Sequence, residues 1–99
     1  MIYCFDLDGT LCSQRDGDYS NAEPYVDRIN KVNSLYNSGH TIYIETARGS
    51  DTRVDWHDAT KKQLDEWGIK YHKLRAGTKF AATYYIDDRA VHVDDFFKE

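Results

Sequence analysis

The sequence predicts an α/β fold, a parallel sheet of about four strands with flanking helices, in one domain spanning residues 1–99. Three observations carry this. Five apolar residues in a row, Met1-Ile2-Tyr3-Cys4-Phe5, open the chain without alternation and end abruptly at Asp6 and Asp8. That is how a short strand reads when both faces are covered, as in a parallel sheet between helices. Strand-like runs then alternate with stretches of helical period, which implies right-handed crossovers. Finally, each strand-like run but one ends in acids or a hydroxyl, and in such sheets ligands gather at the carboxyl ends of strands.

Each element has its own local reasons. Residues 12–21 are polar, with Gly17 and Asp18 as turn residues, and are long enough for a flap but not for a cap domain. Asn21-Ala22-Glu23-Pro24 reads as a helix start, with an Asn cap and an early Pro. Tyr25, Ile29, Val32 and Tyr36 recur at helical spacing, Val26 and Leu35 widen the stripe, and Gly39 ends it. Thr41-Ile42-Tyr43-Ile44-Glu45-Thr46 is a second strand, rich in β-branched and aromatic residues. Glu45 stands out there as a charge where the sheet should be dry. Residues 49–54 form a polar loop, again too short for a cap.

A second helix is predicted over residues 55–67, with Trp56, Thr60, Leu64 and Trp67 as its buried stripe and Gly68 as its stop. Asp55, His57 and Asp58 do not share one helix face, so they read as a solvated helix start and not as a metal site. Residues 69–74 alternate apolar with polar, as a half-exposed edge strand would, with His72 on its surface. Residues 75–79 are a loop leading to a short helical turn. Thr83-Tyr84-Tyr85-Ile86-Asp87-Asp88 repeats the logic of the opening, an apolar strand ending in two carboxylates. Phe96 and Phe97 tie down an amphipathic tail.

Composition narrows the function classes. A hydrophobic fraction of 40% with 8 Tyr, 4 Phe and 2 Trp indicates a packed globule. The net charge of −4, with no Lys/Arg block, lacks the footprint of a nucleic-acid binder, so any phosphate must be held by local cations or a metal. Cys4 and Cys12 show no Cys-x-x-Cys spacing, and Cys4 reads as a buried structural thiol. With no leader-like start and no apolar stretch near the roughly 20 residues of a membrane span, the expected setting is the reducing cytoplasm, without a membrane partner.

Two acids at the mouth of a buried strand repel one another and are costly to desolvate, so a cation or a chemical role is the reason to keep them. Here the chain resembles the haloacid dehalogenase superfamily, whose phosphatase branch carries Asp-x-Asp-Gly-Thr-Leu after its first strand. Asp6-Leu7-Asp8-Gly9-Thr10-Leu11 matches every fixed position. The further motifs follow in order: Thr46 ending a second strand, Lys79 about eight residues before the next acids, and Ile86-Asp87-Asp88-Arg89. Lys73 is the competing candidate for the lysine. The resemblance covers nearly the whole chain and implies a Rossmann-like, capless, minimal member, similar to capsule-biosynthesis-type and nucleotidase-type phosphatases.

What the resemblance implies is specific. Asp6 attacks phosphorus and forms an aspartyl-phosphate; Asp8 protonates the leaving oxygen and then activates water; Thr46 and Lys79 bind the phosphoryl oxygens. Gly9, Thr10, Ala47 and Arg48 line the substrate, although Arg48 is equally placed to pair with Glu45. Mg²⁺, a hard cation suited to oxygen ligands, is the implied cofactor, held by Asp6, Asp8 (through its backbone carbonyl), Asp88 and Asp87, with the order of the last two open. The implied partner is a phosphorylated substrate: a sugar phosphate, a nucleotide or a larger phosphoester. Without a cap, self-association into a homo-oligomer is one way to close the site. A receiver-type phosphoacceptor domain and an idle binding module are the rival readings, and simple phosphate turnover separates them from a phosphatase.

Overall fold

Strand β1 (Ile2–Asp6) pairs in parallel with β2 (Thr41–Thr46), and β2 with β3 (Lys73–Ala76), giving the sheet order β1-β2-β3. The computed structural model describes residues 1–13, 19–49, 55–80 and 82–98. Two helices make the crossovers, α1 (Val26–Asn37) and α2 (His57–Glu66), and a four-residue helix α3 (Val93–Phe96) lies near the end.

Both crossovers step in the same direction across the sheet. A right-handed connection repeated in one direction puts both helices on the same face. Ile42, Ile44 and Thr46 point into that face, where Ile29 and Val32 of α1 and Thr60 and Leu64 of α2 are buried. Phe5, Leu7, Leu11, Cys12 and Ile69 complete a single core. Phe96 of α3 extends it, with its ring 5.5 Å from Phe5 and 5.9 Å from Tyr3.

The opposite face carries Ile2, Cys4, Thr41, Tyr43, Glu45, Lys73 and Arg75, and none of these is buried. The expectation of a strand covered on both faces is therefore corrected. Ile2 is 66% exposed, and Cys4 is an exposed thiol, not a buried one. Glu45 lies on this open face, in register with Asp6 on one side and Arg75 on the other, so a charge there is not anomalous.

The sheet has three strands among the described residues, not four. Thr83 to Asp88 form no strand: Tyr84 is 81% and Ile86 98% exposed. Their bonding is local instead, with the Tyr85 hydroxyl donating to the Phe80 carbonyl and accepting from the Ala82 N–H. Smaller shifts occur elsewhere. The first helix starts at Val26, because Asn21 closes a 3-10 turn (Tyr19–Asn21) and Pro24 bridges Cys12. The third strand begins at Lys73, since the chain comes level with Tyr43 only there; residues 69–72 are the approach, where His72 Nδ1 accepts the Ile42 N–H at 3.0 Å. No helical turn follows within residues 77–80. The Asp55 side chain accepts the His57 N–H at 2.9 Å, which agrees with a solvated helix start. The flap expected within residues 12–21 and the loop over 49–54 fall largely on 14–18 and 50–54, outside the described residues. No helix among the described residues is long and apolar enough to cross a membrane.

Candidate functional site: two carboxylates with separate cations

The turn that follows β1 is built on one acceptor. The N–H groups of Thr10, Leu11 and Cys12 all point at the Leu7 carbonyl, at 3.1, 2.8 and 3.3 Å. Gly9 closes the turn by donating to the Cys12 carbonyl at 2.9 Å, with φ +83°, a conformation a side chain would strain. Leu7 and Leu11 are fully buried anchors on either side. The polar residues of the motif, Asp6 and Asp8, are thereby held at the sheet's carboxyl end, one before and one after Leu7.

Each carboxylate has its own cation. Lys79 Nζ lies 3.3 Å from Asp6 Oδ1, and the lysine also rests over the Tyr85 ring at 4.6 Å. Burial pushes the Asp6 carboxyl above the usual range, and Lys79 pulls it back down. Asp8 is gripped from the other side by Arg48, whose Nε is 2.9 Å from Oδ2 and whose Nη2 is 2.7 Å from Oδ1. Thr46, at the end of β2, donates its hydroxyl to Asp8 Oδ2 at 3.3 Å and accepts the Arg48 N–H at 3.2 Å. Asp6, Asp8, Thr46, Arg48 and Lys79 thus form one cluster although 73 positions separate Asp6 from Lys79. Lys73 sits on β3's exposed side, its ammonium 5.4 Å from the Tyr43 ring, which favours Lys79 as the site lysine.

Arg48 is only 2% exposed. It does not pair with Glu45, which lies on the other face of the sheet. Its remaining donors reach Gln63 Oε1 at 2.8 Å and Thr60 Oγ1 at 3.4 Å, and the guanidinium lies 4.6 Å from the Tyr19 ring centre. Gln63 also donates through Nε2 to the Tyr19 carbonyl at 2.8 Å, so its amide orientation is fixed by both partners. Cys12 adds a thiol 3.5 Å from Asp8 Oδ1; burial first, and Asp8 next, push it up to about 12. Gln63, Thr60, Tyr19 and Cys12 escape sequence reasoning. The one signal was Thr60, a polar residue within the predicted buried stripe of α2.

Ala47 is half-buried beside the cluster. The Thr10 carbonyl accepts Arg28 Nη1 at 3.0 Å, which ties the turn to α1. Asp87 and Asp88 are exposed and are not gathered with Asp6 and Asp8; among the described residues no three His, Cys, Asp or Glu side chains converge to hold a metal. The donor chemistry present, carboxylate and carbonyl oxygen, suits a hard divalent cation. Asp87 accepts the Arg89 N–H at 2.8 Å, which lowers its carboxyl.

Fold and site define a three-stranded parallel α/β protein with a two-carboxylate, two-cation cluster at its strand ends. No family model matches the chain, and no curated protein does. Among solved structures it is similar to the crystal structure of an MCSG target from Vibrio cholerae, with 30% identity and a TM-score of 0.84 over 96% of this chain and 85% of that one. The chain belongs to the same family as that protein.

Proposed function

We propose that the protein is a Mg²⁺-dependent phosphomonoester hydrolase working through an aspartyl-phosphate on Asp6. One observation carries the reading: two carboxylates flank a single turn residue, each with a different cation, and a strand-end hydroxyl donates to the second of them. A phosphate monoester is repelled by a carboxylate nucleophile unless positive charge is in place, and Lys79 and Arg48 provide it.

In the proposed reaction an Asp6 carboxylate oxygen attacks phosphorus in line, and the bond from phosphorus to the ester oxygen breaks. Asp8 is the general acid that passes a proton to the departing oxygen. Water then attacks the phosphoryl group, Asp8 takes the water's proton, and the bond from phosphorus to Asp6 breaks to release phosphate. Thr46 and Lys79 orient the phosphoryl oxygens, and Gly9, Thr10 and Ala47 shape the space around them. Asp6 and the Asp8 backbone carbonyl would hold Mg²⁺, with Asp88 and Asp87, which stand apart from them here, as the further proposed ligands, and the ion would neutralise charge on the phosphoryl oxygens. A cytoplasmic setting belongs to the same proposal and is supported by Cys4 and Cys12 being free thiols.

The test is phosphate release from an aryl phosphate with and without Mg²⁺. Turnover should vanish on exhaustive chelation and in Asp6→Asn, whose circular dichroism should match the parent. An active Asp6→Asn would overturn the nucleophile, and activity surviving chelation would overturn the metal.

A further inference from the structure

Between the 3-10 turn and α2 lies a cleft of about 200 Å³, lined chiefly by Tyr19, Trp56, Arg48, Gln63, Lys62 and Glu66. We propose that it is the leaving-group subsite and that it takes a planar aromatic ring, so that preferred substrates are phosphomonoesters with such a ring close to the phosphoryl group. The inference rests on the phosphatase reading and adds the substrate class.

Its position follows from the geometry of transfer. Asp6 pairs with Lys79 and Asp8 with Arg48, and Asp8, as the proposed acid, must face the leaving oxygen. In an in-line displacement the leaving oxygen departs opposite the nucleophile. The leaving group therefore departs on the Asp8 side. There a single guanidinium separates Asp8 from the cleft, since Arg48 binds Asp8 through Nε and Nη2 and faces Gln63 with Nη1.

The lining sets the chemistry. The rings of Tyr19 and Trp56 meet edge to face, 5.0 Å apart at 85°, and both remain half-open to the cleft. The Gln63 bond to the Tyr19 carbonyl and the Arg48 guanidinium against the Tyr19 ring hold that wall in place. Such a wall is built to receive a ring, and the volume admits one ring system and little more. Lys62 and Glu66, both exposed, set a donor and an acceptor at the rim for ring substituents.

Benzyl phosphate and cyclohexylmethyl phosphate test it. Their leaving alcohols are alike in size, and only one carries a π face; the difference in their acidity is common to the parent and to its variants. The full-length protein should prefer the benzyl ester by about tenfold in kcat/KM, in line with the usual value of aromatic stacking. Trp56→Leu, and independently Tyr19→Leu, should bring that ratio towards unity. Binding is read separately, from Trp56 fluorescence in a Trp67→Phe background titrated with the unhydrolysable benzylphosphonate and cyclohexylmethylphosphonate. A saturable response, tighter by about tenfold for the benzyl compound, supports the subsite. Turnover without aromatic preference or Trp56 response overturns it and leaves the phosphatase reading standing. A Trp56 response without any turnover supports the aromatic site and overturns the phosphatase reading.

Discussion

Taking a guanidinium out of water is unfavourable unless its donors are met, and Arg48 meets them with a carboxylate, an amide oxygen and a hydroxyl. Removing one partner of such a pair leaves the other charge stranded. Arg48→Met should lower stability by about 3 kcal/mol in urea unfolding. Arg48→Lys should recover less than half of that, because an ammonium cannot reproduce the two-pronged grip. A loss below about 1 kcal/mol for Arg48→Met would show the pair to be ornamental. Asp6 carries the pH prediction. Its carboxyl is raised by burial and must be ionised to attack, so kcat/KM should fall as pH drops through a value above the ordinary aspartate range of about 3.9. Lys79→Met removes the pull that lowers it and should move that acid limb to higher pH. The stability sign is opposite to that of a salt-bridged acid. The folded form binds this proton more tightly than the unfolded chain, so ionisation subtracts stability as pH rises through the window between the two values. Asp6→Asn should then unfold at a slightly higher temperature than the parent at neutral pH.

At the scale of elements, what could be read locally was read. Strand β2 runs over Thr41–Thr46 as its β-branched and aromatic residues require, and α2 falls inside residues 55–67 because Thr60 and Leu64 recur at helical spacing. Asp6, Asp8 and Thr46 were legible for the same reason, each sitting at a strand end or soon after one, whereas Lys79 was reached through its spacing to Asp87-Asp88, which end no strand. The layer arrangement was not legible, because which face a helix covers depends on the direction of successive crossovers, not on its own residues. Arg48's partner was hidden likewise, since Glu45 is its neighbour in sequence and Asp8 lies 40 residues away, and only the fold puts Glu45 on the other face. Residues 83–88 show the limit most clearly, as this apolar run pairs with neither edge of the sheet. Ile86 and Ile44 measure that difference. Ile86→Ser, at a residue 98% exposed, should change stability by less than about 0.5 kcal/mol, whereas Ile44→Ala, 1% exposed, should cost about 2–5 kcal/mol. A cost of several kcal/mol at Ile86 would mean that this segment packs as a fourth strand after all.

For the whole molecule, one sheet face and the outer edges of β1 and β3 are left open among the described residues. β1 has no partner on its outer side among the described residues, and Met1, Ile2, Phe80, Tyr84 and Val91 are exposed apolar groups. Unpaired edges and bare apolar faces favour association. Asp6 and Lys79 keep part of their surface, 38% and 19%, and covering it would strengthen their electrostatic contribution to catalysis. The expected outcome is concentration-dependent self-association by light scattering, with kcat/KM on small phosphoesters rising as it proceeds. A strictly monomeric protein that is efficient on a small phosphoester would contradict this.

The two cysteines turn that open face into something that can be watched. Cys12 is walled in and its thiol is pushed up to about 12, so it is nearly inert to alkylation. Cys4 is exposed on the bare face; its thiol is also raised, through partial shielding and the nearby Glu45, but stays far more accessible. A maleimide dye should therefore attach at one place only, without mutagenesis, and report from the β1 side of the uncovered surface. If a second copy covers that surface, labelling should slow as protein concentration rises, and a dye already attached should hinder pairing.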